Sequence, residues 1–151
     1  LHTNDAPSAI TRLIDIGAKP FLLAAALRAV VAQRLVRRIC AKCRQPHRPT
    51  SRELLTLGLE ESCLTGATFA RGAGCAACQG TGYRGRLGIF EIFLVHDGIR
   101  AMLGSHVTAA RLRQQARLDG MRTIREDGIR KIFAGLTTIE EVVSATVTDQ
   151  L

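Results

Sequence analysis

The sequence predicts an α/β chain interrupted by a small cysteine-rich module. Three observations carry this expectation. Apolar residues recur at helical spacing behind good capping residues near both ends of the chain. The run Leu87-Gly88-Ile89-Phe90-Glu91-Ile92-Phe93-Leu94-Val95 has the length and composition of a strand. Between the two helical regions, a stretch rich in Gly and Pro holds all five cysteines.

The elements follow in order. Asn4 or Asp5 suits a helix N-cap, Pro7 suits the first turn, and Ile10, Leu13 and Ile14 fall on one face. Gly17 then ends the first helix. Pro20 starts a second, expected to run to about Ala32 through a Leu- and Ala-rich segment. Arg34 to Ile39 could end that helix or form a short strand, and the strand is the preferred reading. Residues 40–86 form the loop-rich module, with one short helix over Ser51–Leu57. After the strand over 87–96, Asp97 is expected to cap a helix through Leu103. Thr108 is expected to cap one through Leu118. A third is expected over Met121–Ala134, ended by Gly135. Thr137 and Glu140 have the spacing of a capping box for a last helix through about Ala145. The expected organisation is therefore residues 1–39, the module 40–86, the strand 87–96, and a helical region 97–151.

The module is too poor in apolar residues to be held by a core alone. Its cysteines suggest what holds it. Cys40-Ala-Lys-Cys43 and Cys75-Ala-Ala-Cys78 are two Cys-x-x-Cys turns, 31 residues apart. Each such turn sets two sulfurs on one side of the backbone, and two turns complete a tetrahedral shell for zinc. Disulfides, a redox dithiol and an iron–sulfur cluster are the alternatives. Absence of a signal-peptide pattern speaks against the first. The glycines of Gln79-Gly80-Thr81-Gly82 let backbone N–H groups turn toward the sulfurs, and Lys42, Arg44 and Arg84 are nearby cations. Cys63 belongs to neither pair and reads as an ordinary thiol. Four thiolates leave no open coordination position, so the metal is expected to be structural.

Composition sets the outer bounds. The 151 residues carry 18 Arg and 3 Lys against 13 acidic side chains, for a net charge of +8. Four thiolates and one Zn²⁺ would bring this to about +6. The basic balance fits nucleic acid, a membrane surface or phosphate ligands, or no more than a genome's compositional bias toward arginine. Aromatic residues are only 4%, which argues against base stacking and hence against nucleic acid. The longest apolar stretch, Pro20 to Ala32, contains Arg28 and is too short for a membrane span. The chain opens on Leu1 and the polar string His2-Thr3-Asn4-Asp5, which reads as the middle of a domain. The expectation is a C-terminal fragment of a longer protein.

Several strings in order resemble one family. Leu1-His2-Thr3-Asn4-Asp5-Ala6 with Thr11-Arg12-Leu13 is similar to the histidine box of the secretion traffic ATPases, the motors of type II secretion and type IV pilus assembly. The likeness continues through Ile16-Gly17, Pro20-Phe21, Ala32-Gln33-Arg34-Leu35-Val36-Arg37 and both cysteine pairs. It goes on through Gly82-Tyr83-Arg84-Gly85-Arg86 with Gly88-Ile89 and Glu91, and through Ile124-Arg125 with Asp127-Gly128. The resemblance is weakest over 46–70. It implies the C-terminal part of a RecA-like P-loop motor core, an inserted tetracysteine zinc subdomain and a helical C-terminal tail. It also implies a homo-hexamer that couples ATP hydrolysis, with magnesium, to pilin or pseudopilin assembly and protein secretion. Such a motor works at the cytoplasmic face of the inner membrane, held there by platform proteins. By position, His2 matches the box histidine near the γ-phosphate, and Arg86 an arginine on the nucleotide-base side. On its own chemistry His2 could equally be structural, and Arg86 could cap a turn instead of stacking on a base.

A phosphate-binding loop needs Lys after Gly, and Lys19, Lys42 and Lys131 follow Ala, Ala and Arg. Leu94-Val95-His96-Asp97 is a weak mimic of a magnesium-binding strand. The resemblance places both elements before the histidine box, so this chain alone is expected to be inactive as an ATPase. The competing expectation is a binding module. Cys75-x-x-Cys78-x-Gly80-x-Gly82 is similar to one repeat of the zinc hairpin in Hsp40-type chaperones, but only the second pair has the trailing glycines.

Overall fold

The computed structural model describes residues 3, 5–60, 64, 66–103 and 107–146. The mixed α/β character expected from the sequence is present, and the chain divides into two compact units. The first comprises residues 1–33 and 90–124, the second 34–89 and 125–151. Among the described residues no helix is long and apolar enough to cross a membrane.

The first unit opens with α1 (Ala6–Asp15). Asp5 is extended and its Oδ1 accepts the Ser8 N–H at 2.9 Å, the N-cap the sequence offers. Gly17, at φ 101°, turns the chain out of the helix. α2 (Pro20–Ala26) is shorter than expected. Its apolar run does not continue to Ala32, because β1 (Ala29–Ile39) takes over. Leu27 is already extended, and Val30 and Val31 favour a strand. Pairing with β4 (Tyr83–Leu94) overrides the helical preference of the Leu/Ala segment. The Val95 N–H donates to the Arg28 carbonyl, and the Cys40 N–H to the Gly82 carbonyl, so the strands run antiparallel.

β4 starts four residues before the expected strand and takes in Arg84 to Arg86. Its inner face alternates cleanly: Ile89, Glu91 and Phe93 are buried, while Phe90, Ile92 and Leu94 are exposed. α4 (Asp97–Leu103) is capped by His96, not by Asp97. The His96 Nδ1 accepts the Gly98 N–H at 3.2 Å, while Asp97 sits in the first turn and pairs with Arg100 at 2.6 Å. α5 (Ala109–Leu118) has the expected Thr108 cap. Ile10, Phe93, Ile99, Leu103 and Leu112 form the fully buried centre of this unit.

The second unit holds a short antiparallel ladder of β2 (Arg44–Pro46) on β3 (Ala70–Gly72), with Arg44 opposite Gly72. α3 (Ser51–Leu57) begins on a complete capping box between Thr50 and Glu53. α6 (Ile124–Phe133) starts three residues later than expected and is followed by Gly135 at φ 64°. It meets α7 (Ile139–Thr146) so closely that a Cβ on Gly128 would lie 2.5 Å from Val142 Cγ1. The capping box expected of Thr137 and Glu140 is not formed. The buried Thr137 hydroxyl donates to the Arg37 carbonyl at 2.8 Å, and α7 begins only at Ile139. Leu54, Leu57, Phe69, Ile132, Ile139 and Val142 make a six-residue core, with the Phe69 and Phe133 rings edge to face at 5.5 Å.

Candidate metal centre

Both Cys-x-x-Cys units fold as tight turns. The Cys43 N–H donates to the Cys40 carbonyl at 3.3 Å, and the Cys78 N–H to that of Cys75 at 3.1 Å across a 3-10 turn (Ala76–Cys78). β1 delivers Cys40, and the return of the chain along β2 and β3 brings the second pair against the first. The Ala73 N–H, donating to the Cys43 carbonyl at 2.9 Å, fixes that approach.

The four sulfurs of Cys40, Cys43, Cys75 and Cys78 all lie within 4.8 Å of one another. Individual separations are 4.0 Å for Cys40–Cys75, 3.8 Å for Cys43–Cys78 and 3.7 Å for Cys75–Cys78. A tetrahedral ion with zinc–sulfur bonds of about 2.3 Å needs sulfur edges of about 3.8 Å. The donor set therefore fits a single tetrahedral metal ion. All four thiols are free, and their separations are well beyond a sulfur–sulfur bond of about 2.05 Å. A shell this tight has room for one ion and not for a multi-iron cluster.

The surrounding backbone suits anionic sulfur. The Cys75 and Gly82 N–H groups point at Cys78 Sγ from 3.2 and 3.3 Å. Burial opposes ionisation of Cys78, but these donors and the Cys75 and Cys43 thiols outweigh it and bring its pKa down to about 6. Burial pushes the Cys43 thiol up to about 11, against a donor from the Gly74 backbone. Cys43 and Cys78 thus differ in readiness to ionise, and a cation at the centre of the cluster would favour the thiolate in both.

Glycine is obligatory where the two halves meet. A Cβ on Gly72 would come 2.0 Å from the Gly82 carbonyl oxygen, and one on Gly74 2.7 Å from that of Gly80. Arg44, one of the cations expected near the sulfurs, instead donates to the Ala134 carbonyl at 3.3 Å.

A second polar group flanks the centre. Arg37 lies 4.1 Å over the Tyr83 ring, and its Nε and terminal nitrogen donate to Glu141 Oε1 at 2.9 and 2.6 Å. The Tyr83 and Thr138 hydroxyls are 2.8 Å apart. This group ties α7 to β1 and β4, and only its separate residues, not their meeting, can be found in the sequence.

The other candidate residues are less constrained. Arg86 is exposed on β4. His2 and Cys63 lie outside the described residues. Glu91 stands in the string that resembles the family, but its structural partner does not show in the sequence. Glu91 is 4% exposed on the apolar face of β4, and its Oε1 accepts the Ala6 N–H at 2.8 Å. Its place in the buried register between Ile89 and Phe93 was the available signal.

Comparison with known proteins converges on one family. The family model described as Type II/IV secretion system protein matches residues 1–144. The chain is 46% identical over 147 residues to the type IV pilus assembly ATPase PilB of Thermus thermophilus, covering 97% of this chain and 16% of that protein. It is 47% identical over 146 residues to the type II secretion system protein HxcR of Pseudomonas aeruginosa, covering 97% of this chain and 27% of that protein. The type II secretion system protein E of the same organism is 42% identical, with 28% of its length covered. The chain thus spans less than a third of these relatives, but it matches them along nearly its whole length. With the family model covering all but the last few residues, the chain belongs to the type II/IV secretion system protein family.

Proposed function

We propose that the chain is the part of a secretion or pilus-assembly ATPase that follows the phosphate- and magnesium-binding elements, with its four cysteines holding a structural zinc ion. The observation that carries this reading is the match along 97% of the chain to proteins named as pilus assembly ATPases and type II secretion proteins. In the whole protein, a RecA-like core hydrolyses ATP with magnesium, and six subunits form the working ring. His2 attends the γ-phosphate and Arg86 the base side of the nucleotide. Residues 40–86 are a metal-clasped subdomain set into that motor. The ring works at the cytoplasmic face of the inner membrane, bound there by platform proteins.

The zinc has no reactive role in this reading. Cys40, Cys43, Cys75 and Cys78 fill its coordination shell, which leaves no position for water or substrate. Bound, the ion supplies cross-linking and charge neutralisation. The protein's own contribution is to aim backbone N–H groups at Cys78 and to keep Gly72 against Gly82.

The test compares two proteins. The full-length parent should hydrolyse ATP in a magnesium-dependent manner. The 151-residue chain, with no Gly-Lys-Ser/Thr sequence, should hydrolyse none above background. Magnesium-dependent turnover by the chain alone, or none by the parent, would overturn the assignment.

A further inference from the structure

The part of β4 in the first unit is apolar on both faces. Inward, Phe93 is fully buried in the core built with α1, α4 and α5. Outward, Phe90, Ile92 and Leu94 are 38%, 51% and 62% exposed. The paired strand repeats the pattern. Val30 and Ala32 of β1 pack against the same core, so Val31 between them points the other way, and it too is more than half exposed. Four apolar side chains thus stand on the outer face of a two-stranded sheet.

An antiparallel sheet with one face in water alternates apolar with polar residues. Positions 90, 92 and 94 carry Phe, Ile and Leu instead. A near-continuous apolar run of this kind belongs to a strand with a packed layer on each side. Helices α1, α4 and α5 supply the inner layer. Among the described residues there is no outer one. Two strands alone also make a sheet too narrow to be stable by itself.

Chain length indicates where the outer layer comes from. The chain spans only 16% and 27% of two relatives that match 97% of it. Most of such a protein therefore lies outside these 151 residues, covalently tethered to them and so present at high effective concentration. A partner that came and went would leave Phe90, Ile92 and Leu94 wet between visits, and a contiguous apolar patch in water invites aggregation. A permanent cover from the same polypeptide avoids that.

We propose that the outer face formed by Val31, Phe90, Ile92 and Leu94 is an internal interface of the parent protein, covered by an apolar layer from the part of the same polypeptide outside these 151 residues. The inference rests on the reading of the chain as one part of a longer secretion or pilus-assembly ATPase. The covering layer presents aliphatic or aromatic side chains, because all four positions it meets are apolar.

The experiment is hydroxyl-radical footprinting of the full-length parent, read residue by residue by mass spectrometry. Phe90 and Phe93 carry the same ring on opposite faces of one strand, so Phe93 is the internal standard. A covered Phe90 should be modified as slowly as Phe93. A Phe90 modified many times faster than Phe93 would overturn the inference. Ile92→Lys then separates an internal cover from a contact between copies. A charge forced into a packed layer should lower the parent's thermal midpoint by about 5–10 °C, or prevent folding. Ile92→Ala, which leaves only a cavity, should fold and give a smaller drop. A midpoint unchanged by either substitution, with subunits that come apart in sedimentation, would assign the face to a second copy and overturn the inference. Magnesium-dependent turnover of the wild-type parent is a separate readout. Its absence would refute the ATPase reading, while the footprint would still report whether the face is covered.

Discussion

The two compact units solve the same problem by different means. The first closes over a cluster of nine buried side chains, centred on Phe93, Ile99, Leu103 and Leu112. Among the described residues the second has a buried cluster of six, of which Leu54, Leu57 and Phe69 come from the module 40–86, where short strands and turns also bring Cys40, Cys43, Cys75 and Cys78 together. Apolar burial is spread over many contacts and degrades gradually as contacts are lost. A metal centre concentrates its stabilisation at one point, and its contribution is present or absent as a whole. The first unit should therefore tolerate injury by degrees, and the module of the second should not.

Removing the metal is the largest perturbation that separates them. Structural zinc contributes apparent free energies of about 10–16 kcal/mol in small zinc modules, comparable to the stability of an entire domain. Protein purified under reducing conditions should carry one zinc per chain, released by thiol-modifying reagents. Cys75→Ser, or chelation, should abolish hydrogen-exchange protection at the two cysteine turns, β2 and β3 while α5 and the Phe93 end of β4 keep theirs. Equal loss in both units would break the comparison, and metal content near zero in the reduced protein would remove its basis.

An injury to the first unit sharpens the same contrast. Phe93 is fully buried at the centre of that cluster. Phe93→Ala should cost about 3–5 kcal/mol through lost contacts and the cavity left behind. The expected outcome is a lower denaturation midpoint with zinc stoichiometry unchanged at one. Zinc lost in proportion to the unfolding of Phe93→Ala under native conditions would mean that the two units do not respond separately.

What was legible in the sequence divides along similar lines. Local signals read well: Asp5 and Thr108 cap as expected, Ser51–Leu57 is a helix, and the spacing of the cysteine turns marks the sulfur cluster. Each depends on residues three or four apart, and the backbone geometry follows from chemistry that close neighbours carry. Most of the misreadings involve distant partners. The end of α2 was set by β4, some 60 residues away, and not by the helical preference of Leu and Ala. Thr137 has the right spacing for a capping box, but its hydroxyl goes to the Arg37 carbonyl 100 residues back. His96 displaced Asp97 as a cap because an imidazole nitrogen can reach the Gly98 N–H, leaving Asp97 free to pair with Arg100. Glu91 lay in plain view within an apolar strand, yet its meeting with Ala6 could not be read from it.

The smallest effect concerns the clasp that joins α7 to the strands of the second unit. Burial raises the Glu141 pKa, but the Arg37 guanidinium and its backbone N–H, which donates to Oε2 at 2.8 Å, together hold it below the usual glutamate range. A carboxyl whose folded pKa is depressed contributes stability in full above its unfolded value near 4.5, and loses it as pH falls through the folded value. Arg37 is more than half exposed, so solvent screening keeps the contribution small, about 0.5–1 kcal/mol. Glu141→Gln should therefore lower the denaturation midpoint slightly at pH 7, and the difference from wild type should fade as the pH drops below about 4.5. Metal release also destabilises the protein in acid, since thiolates must be protonated for the ion to leave. That loss is common to both proteins and cancels in the difference, so only the Arg37–Glu141 contact remains. A difference that stays constant from pH 7 to pH 3 would mean that charge plays no part in the clasp, and that Arg37 holds α7 through packing on Tyr83 alone.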